Sequence, residues 1–201
     1  VYTDFLMKSD TIGSIFFYYL AWHRTNEKII EIFWDKVKEQ NFTHEQIKNI
    51  FYKTNNYGDN VLLTMLYFNK TSNDGKIPSV SAAHNKKILK ILEILQNHLT
   101  QEEQIELVLS KNIIGESFLL QSCAEISTFK FTAKLVDRID FHEIFTSKLS
   151  CGKNVLQYVM RNGIPEAFEF YFKKLEESTL DTKEFLLSKT VQNHNILHYS
   201  A

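Results

Sequence analysis

The sequence predicts an all-α chain, an α-solenoid in which a unit of two main helices and a short third helix is laid down about five times. Three observations carry this. Breakers are scarce, two prolines and six glycines in 201 residues, so long helical stretches meet little opposition. A lysine followed by a short turn and a glycine recurs along the whole chain. Capping-box sequences recur in phase with that turn.

The turns come first. Lys8 leads to Gly13, Lys53 to Gly58, Lys111 to Gly115, Lys148 to Gly152 and Lys189 to Asn193. The steps from one anchor to the next are 45, 57, 37 and 41 residues. Glycine and asparagine tolerate positive φ, so each anchor suits a tight turn into a helix. A small polar residue two positions on, such as Asn60, Ser117, Asn154 or Asn195, suits the helix N-cap. The apolar run after it is the first helix of the unit.

A second amphipathic helix follows in each unit. Ile29, Ile30, Phe33 and Val37 keep the helical period. So do Ile88, Ile91, Leu92 and Leu95; Phe131, Leu135, Val136 and Ile139; and Phe168, Tyr171, Phe172 and Leu175. The short third helix is announced by Thr43–Gln46, Thr100–Glu103, Asp140–Glu143 and Asp181–Glu184, each a capping box or a relative of one. The long second step comes from residues 69–87, which contain Asp74-Gly75, Pro78 and small polar residues and predict an insertion loop. The whole of 1–201 is thus expected to be one repeat domain.

Composition narrows the function. Hydrophobic residues make up 44% and charged residues 23%, a globular balance, and the net charge is −1. No basic surface for nucleic acid or an anionic membrane is implied. The longest apolar run, Ile15 to Trp22, is far short of the ~20 residues that span a bilayer, so no direct membrane insertion is expected. The chain opens Val-Tyr-Thr-Asp and ends mid-pattern at Ile196–Ala201, which suggests a segment of a longer protein. Cys123 and Cys151 both lie among apolar neighbours. They are expected to be two buried, reduced thiols in an intracellular, cytoplasmic protein.

The last two anchors carry a family resemblance. Asn193-His194-Asn195-Ile196-Leu197-His198-Tyr199-Ser200-Ala201 resembles the ankyrin-repeat signature. Gly152-Lys153-Asn154-Val155-Leu156 is similar to it, and Gly163 falls where that family turns between helices. The units here are longer than the ~33 residues of an ankyrin repeat, and a helix stands where that family places a hairpin finger. The resemblance implies a protein-binding scaffold. It also implies that His198 is a structural residue, its ring hydrogen-bonded to turn backbone between repeats.

Chemistry is sparse. Only His194 and His198 share helical i,i+4 spacing among seven histidines, and Asn195 stands where a zinc protease needs glutamate. No glycine-rich phosphate loop or nucleophile elbow occurs. No enzyme activity, metal or cofactor is therefore expected. Tyr18, Tyr19, Trp22, Tyr67, Tyr158 and Arg161 lie on or near the first helices of their units. In a solenoid those helices line the concave side, so these residues are the candidate anchors for a protein partner. Gly13, Gly58, Gly115, Gly152, Asn193 and His198 are the candidate structural turn residues. Two other expectations stand beside the scaffold: a structural or regulatory array within a larger protein such as a channel or effector, and a small helical enzyme.

Overall fold

A computed structural model describes residues 7–22, 27–66, 82–162 and 164–199. Its elements are helices joined by turns, and the chain divides into two compact units, residues 1–113 and 114–201. The first holds α1 (Phe16–Trp22), α2 (Glu27–Glu39), α3 (His44–Tyr52), α4 (Val61–Leu66), α5 (Ala82–His98) and α6 (Gln101–Leu109). The second holds α7 (Phe118–Gln121), continued by a 3-10 turn at Ser122–Ala124. After it come α8 (Ile126–Val136), α9 (His142–Thr146), α10 (Val155–Asn162), α11 (Pro165–Glu176), α12 (Thr182–Leu187) and a last 3-10 turn at Ile196–Tyr199.

The order short, long, short recurs after each of the four glycines. Each first helix starts three residues after its anchor: Phe16 after Gly13, Val61 after Gly58, Phe118 after Gly115 and Val155 after Gly152. The 3-10 turn starts at Ile196, three after Asn193.

The caps explain the starts of the third helices. Thr43 and Thr100 make reciprocal capping boxes with Gln46 and Glu103, satisfying amides that the helix itself leaves open. Asp181 accepts from the Glu184 amide. Asp140 departs from the expected box. Its carboxylate accepts from the His142 amide at 2.8 Å, so α9 begins one residue late, with Phe141 at the N-cap.

Two further expectations are corrected. Of the expected insertion loop, residues 69–81 lie outside the described residues, but 82–87 belong to α5. No breaker follows Pro78 there, so the helix extends back. Cys123 is buried and free, but Cys151 is exposed, because it stands at the turn just before Gly152.

Each unit has its own core. In residues 1–113, Phe17 stacks on Phe33 at 5.3 Å and meets Phe51 edge-on at 5.7 Å. Trp34 lies 5.7 Å from Phe51 and 5.1 Å from the His98 ring, and its indole N–H donates to His98 Nε2 at 3.0 Å. In residues 114–201, Phe141, Phe170 and Tyr171 form an edge-on cluster. Beside the α7–α8 connection, the Ser122 and Thr132 hydroxyls meet at 2.8 Å with both residues fully buried. Burial pushes the Cys123 thiol up to about 12.

Candidate interaction surface

The turns repeat in atomic detail. The amides of Asp10, Asn55, Leu149 and Thr190 donate to the carbonyls of Ser14, Asp59, Lys153 and His194, at 3.0, 3.0, 2.9 and 2.9 Å. The amides of Gly13, Gly58, Gly152 and Asn193 return to the carbonyls of Asp10, Asn55, Leu149 and Thr190, at 3.1, 3.0, 2.7 and 2.9 Å. The five anchors have φ of +82° (Gly13), +75° (Gly58), +81° (Gly115), +77° (Gly152) and +63° (Asn193). Side chains brace three of the turns. Asp10 Oδ1 accepts from Ile12 and Ser14, Asn55 Oδ1 from Tyr57 and Asp59, and the Thr190 hydroxyl from Gln192 and His194.

Successive turns are then bonded edge to edge. In residues 1–113 the Asn56 amide donates to the Ile12 carbonyl at 2.8 Å, and the Ile113 amide to the Tyr57 carbonyl at 3.0 Å. In residues 114–201 the Ser150 amide donates to the Ile114 carbonyl at 3.0 Å. A Cβ on Gly152 would lie 2.9 Å from the Val191 nitrogen. This close approach is a second reason, besides positive φ, for the residue to be glycine.

Side chains of the first helices clamp the next turn. Tyr18, five residues after Gly13, places its hydroxyl against the carbonyls of Lys53 and Asp59, and is buried. Gln157, five after Gly152, donates through Nε2 to the carbonyls of Ser188 at 2.8 Å and His194 at 3.5 Å. These carbonyls stand five before and one after the next anchor in both cases. Two residues after their anchors, Asn60 donates to the Leu107 carbonyl and the Ser110 hydroxyl, and Asn154 to the Phe185 carbonyl and the Ser188 hydroxyl.

This geometry re-sorts the expected anchors. Tyr18 and Tyr158 are buried, so neither presents a binding face. Tyr18 is a clamp whose ionisation is pushed up by burial and then by the Asp59 charge. Tyr19 is half-buried, and its hydroxyl donates to the Asp10 carboxylate, which holds that carboxyl below its usual range. Arg161 is exposed on α10. Tyr67, Gly163, Ser200, Ala201 and the side chain of Trp22 lie outside the described residues. Among the described residues the His198 Nδ1 accepts from the Asn195 amide at 3.2 Å, within its own unit, and the contact to a following turn that the resemblance implies is made elsewhere by Tyr18 and Gln157. The alignment of Leu156-Gln157 with Leu197-His198 was the signal for Gln157.

Sequence reasoning also missed the turn tips. One or both of the two residues before four of the five anchors carry an exposed apolar side chain, Ile12, Tyr57 and Ile113 (70% exposed) in the first unit and Ile114 and Val191 (76% exposed) in the second, whereas Ser150 and Cys151 precede Gly152. These side chains stand on the hydrogen-bonded edge described above. A separate cleft of about 220 Å³ lies between α2 and α5, floored by Trp34, Ile94 and His98. Its charges are largely paired internally, Lys90 with Glu31 and Glu93, and Lys38 with Asp35. Among the described residues no three His, Cys, Asp or Glu side chains group as metal ligands, and no helix is long and apolar enough to cross a membrane.

No family model and no curated protein matches the chain. One solved structure is similar in fold: a chain from the structure of a predatory endopeptidase from Bdellovibrio bacteriovorus in complex with an immunity protein. The identity is 14% and the TM-score 0.54, over 97% of this chain and 77% of that one.

Proposed function

We propose that the chain is an ankyrin-like repeat scaffold, part of an α-solenoid, that binds a partner protein along its turn edge. The exposed apolar tips on the hydrogen-bonded turns within each unit are the observation that carries this reading. Water-facing Ile12, Tyr57, Ile113, Ile114 and Val191 gain nothing by exposure. Burying them against a partner recovers about 25 cal/mol per Å², and exposed apolar patches mark such contacts. The turn bonding fixes the backbone beneath the tips before any partner arrives, which lowers the entropic cost of binding. Of the expected anchors whose side chains are described, Arg161 is exposed and Tyr19 half-buried, and both stay in the proposed contact set with Trp22 and Tyr67. The structural neighbour belongs to a complex of two proteins, which accords with a role in protein–protein assembly.

The test places a photo-crosslinking residue at Tyr57, Ile113 or, as a control, exposed Lys36. Adducts with one common partner are expected from Tyr57 and Ile113 and not from Lys36. Tyr57→Glu with Ile113→Glu should then weaken that partner's binding at least tenfold, about 1.4 kcal/mol, with the unfolding midpoint unchanged. Equal labelling from Lys36, or full affinity in the double variant, contradicts the reading.

A further inference from the structure

Every turn carries an exposed lysine. In residues 1–113, Lys8 and Lys53 each stand four residues before an apolar tip, Ile12 and Tyr57, and Lys111 stands two before Ile113. In residues 114–201 exposed Lys189 stands two before Val191, and exposed Lys148 two before Ser150. Between Lys111 and Ile113 lies buried Asn112, whose side-chain amide donates inward to Asp59 Oδ1 at 2.9 Å. Buried Thr190 separates Lys189 from Val191 in the same way. Alternate side chains of an extended backbone share a face, so lysine and tip face water together. The Lys53 backbone is held in place by the Tyr18 hydroxyl, which donates to its carbonyl.

The carboxylates of the same turns are engaged inside them. Asp10 Oδ1 accepts from the Ile12 and Ser14 amides, and Oδ2 from the Tyr19 hydroxyl. Asp59 is buried and accepts from the Asn55 and Asn112 side chains. Glu116, in the second unit, is buried as well. A chain of net charge −1 therefore presents positive charge at its turns. A cation just after a helix end is favoured by the helix dipole. That accounts for a lysine there, but not for the exposed apolar side chain beside it.

We infer that the partner segment seated on the turn edge of residues 1–113 is an acidic, apolar-rich stretch of polypeptide. Its carboxylates meet the lysines and its apolar side chains cover the tips. The inference rests on the scaffold reading above and gives the chemistry of what that scaffold binds. Nucleic acid and anionic lipid also carry negative charge. A phosphate backbone, however, offers Ile12 and Ile113 no apolar surface. Tips set one to a turn along a hydrogen-bonded edge suit side chains set along one extended chain. Complementary charge then steers the encounter and rejects basic competitors.

Selection from a library of random dodecapeptides on the immobilised full chain tests this. Recovered peptides are expected to be enriched in Asp and Glu together with apolar residues. Replacing the acids of a recovered peptide by Asn and Gln should weaken its binding about tenfold. Added salt should weaken the acidic peptide more than its neutral form. Lys8→Glu with Lys53→Glu should shift the selection towards basic peptides, with helix content unchanged by circular dichroism. Peptides enriched in apolar residues alone overturn the inference and leave the scaffold reading standing. Acidic peptides that bind Tyr57→Glu with Ile113→Glu as tightly as wild type overturn both, as does an empty selection. Tighter binding of phosphatidylserine vesicles or of oligothymidylate than of the recovered peptides, lost in the lysine variant, also overturns it and assigns the lysines to lipid or nucleic acid.

Discussion

Residues 1–113 and 114–201 follow the same succession of turn and three helices but fill it with different chemistry. Four residues after its anchor the first unit has Phe17, set among Phe33, Trp34 and Phe51. The second has Leu119 and Leu156 at that position, and next to α7 it buries the Ser122–Thr132 hydroxyl pair. The difference teaches that backbone turns, not a conserved core, define this architecture. Any apolar group of suitable volume fills the interior, whereas the turn admits only residues that tolerate positive φ.

The largest expected effect is therefore in the ring cluster. Phe17→Ala should cost about 3–5 kcal/mol in urea unfolding, since a large buried ring leaves a cavity. In the second unit Thr132→Val, which keeps volume and removes one hydroxyl, should cost about 1 kcal/mol. Equal losses from the two would erase the contrast between the cores.

Next comes the turn itself. Gly152→Ala adds a Cβ 2.9 Å from the Val191 nitrogen at φ +77°. It should cost at least the ~1–2 kcal/mol of the left-handed conformation. Gly115→Ala, where the nearest atoms lie at 3.4 Å, should cost less. The reverse order in thermal unfolding would show that contact between turns is not what restricts Gly152.

The clamps follow. Gln157→Leu leaves the Ser188 carbonyl without its donor and should cost about 1–2 kcal/mol. Gln157→His, which restores a ring donor at the position that carries His198 in the last turn, should recover part of that loss. No difference between the two variants would mean that the clamp contributes through volume alone.

The smallest effect is a pH dependence in the first unit. Burial, and then the Lys38 charge, hold His98 below its ordinary pKa. Its neutral Nε2 accepts from Trp34, so the folded state disfavours protonation. Stability is complete above the unfolded histidine value, ~6.5, and falls as pH drops from there through the lower folded value. His98→Gln should flatten that part of the profile; an unchanged slope would assign the dependence to other groups.

These contrasts also show what the sequence made legible. The turns were readable because positive φ leaves few residue choices, and the boxes at Thr43 and Thr100 because a cap needs particular side chains. Asp140 was misread because an Asp side chain serves a cap and a one-residue-shifted turn equally well. Tyr18 and Tyr158 were misassigned because an aromatic side chain suits both a core and a contact surface. Which one holds depends on the helix phase set by the anchor: five residues after it Tyr18, Leu63 and Gln157 are buried and Leu120 is half-buried, and Tyr158, six after Gly152, is buried too. The apolar tips were passed over because nothing in a tip's local sequence reveals that the adjacent turn supports it.

Amide hydrogen exchange at four turn residues tests the central claim most directly. Asn56, Ile113 and Ser150 are exposed, yet their amides donate to the carbonyls of Ile12, Tyr57 and Ile114. The account predicts marked protection for these three amides and rapid exchange at Thr11, the equivalent amide for which no acceptor stands among the described residues. Exchange of Asn56, Ile113 and Ser150 at the rate of Thr11 would contradict it.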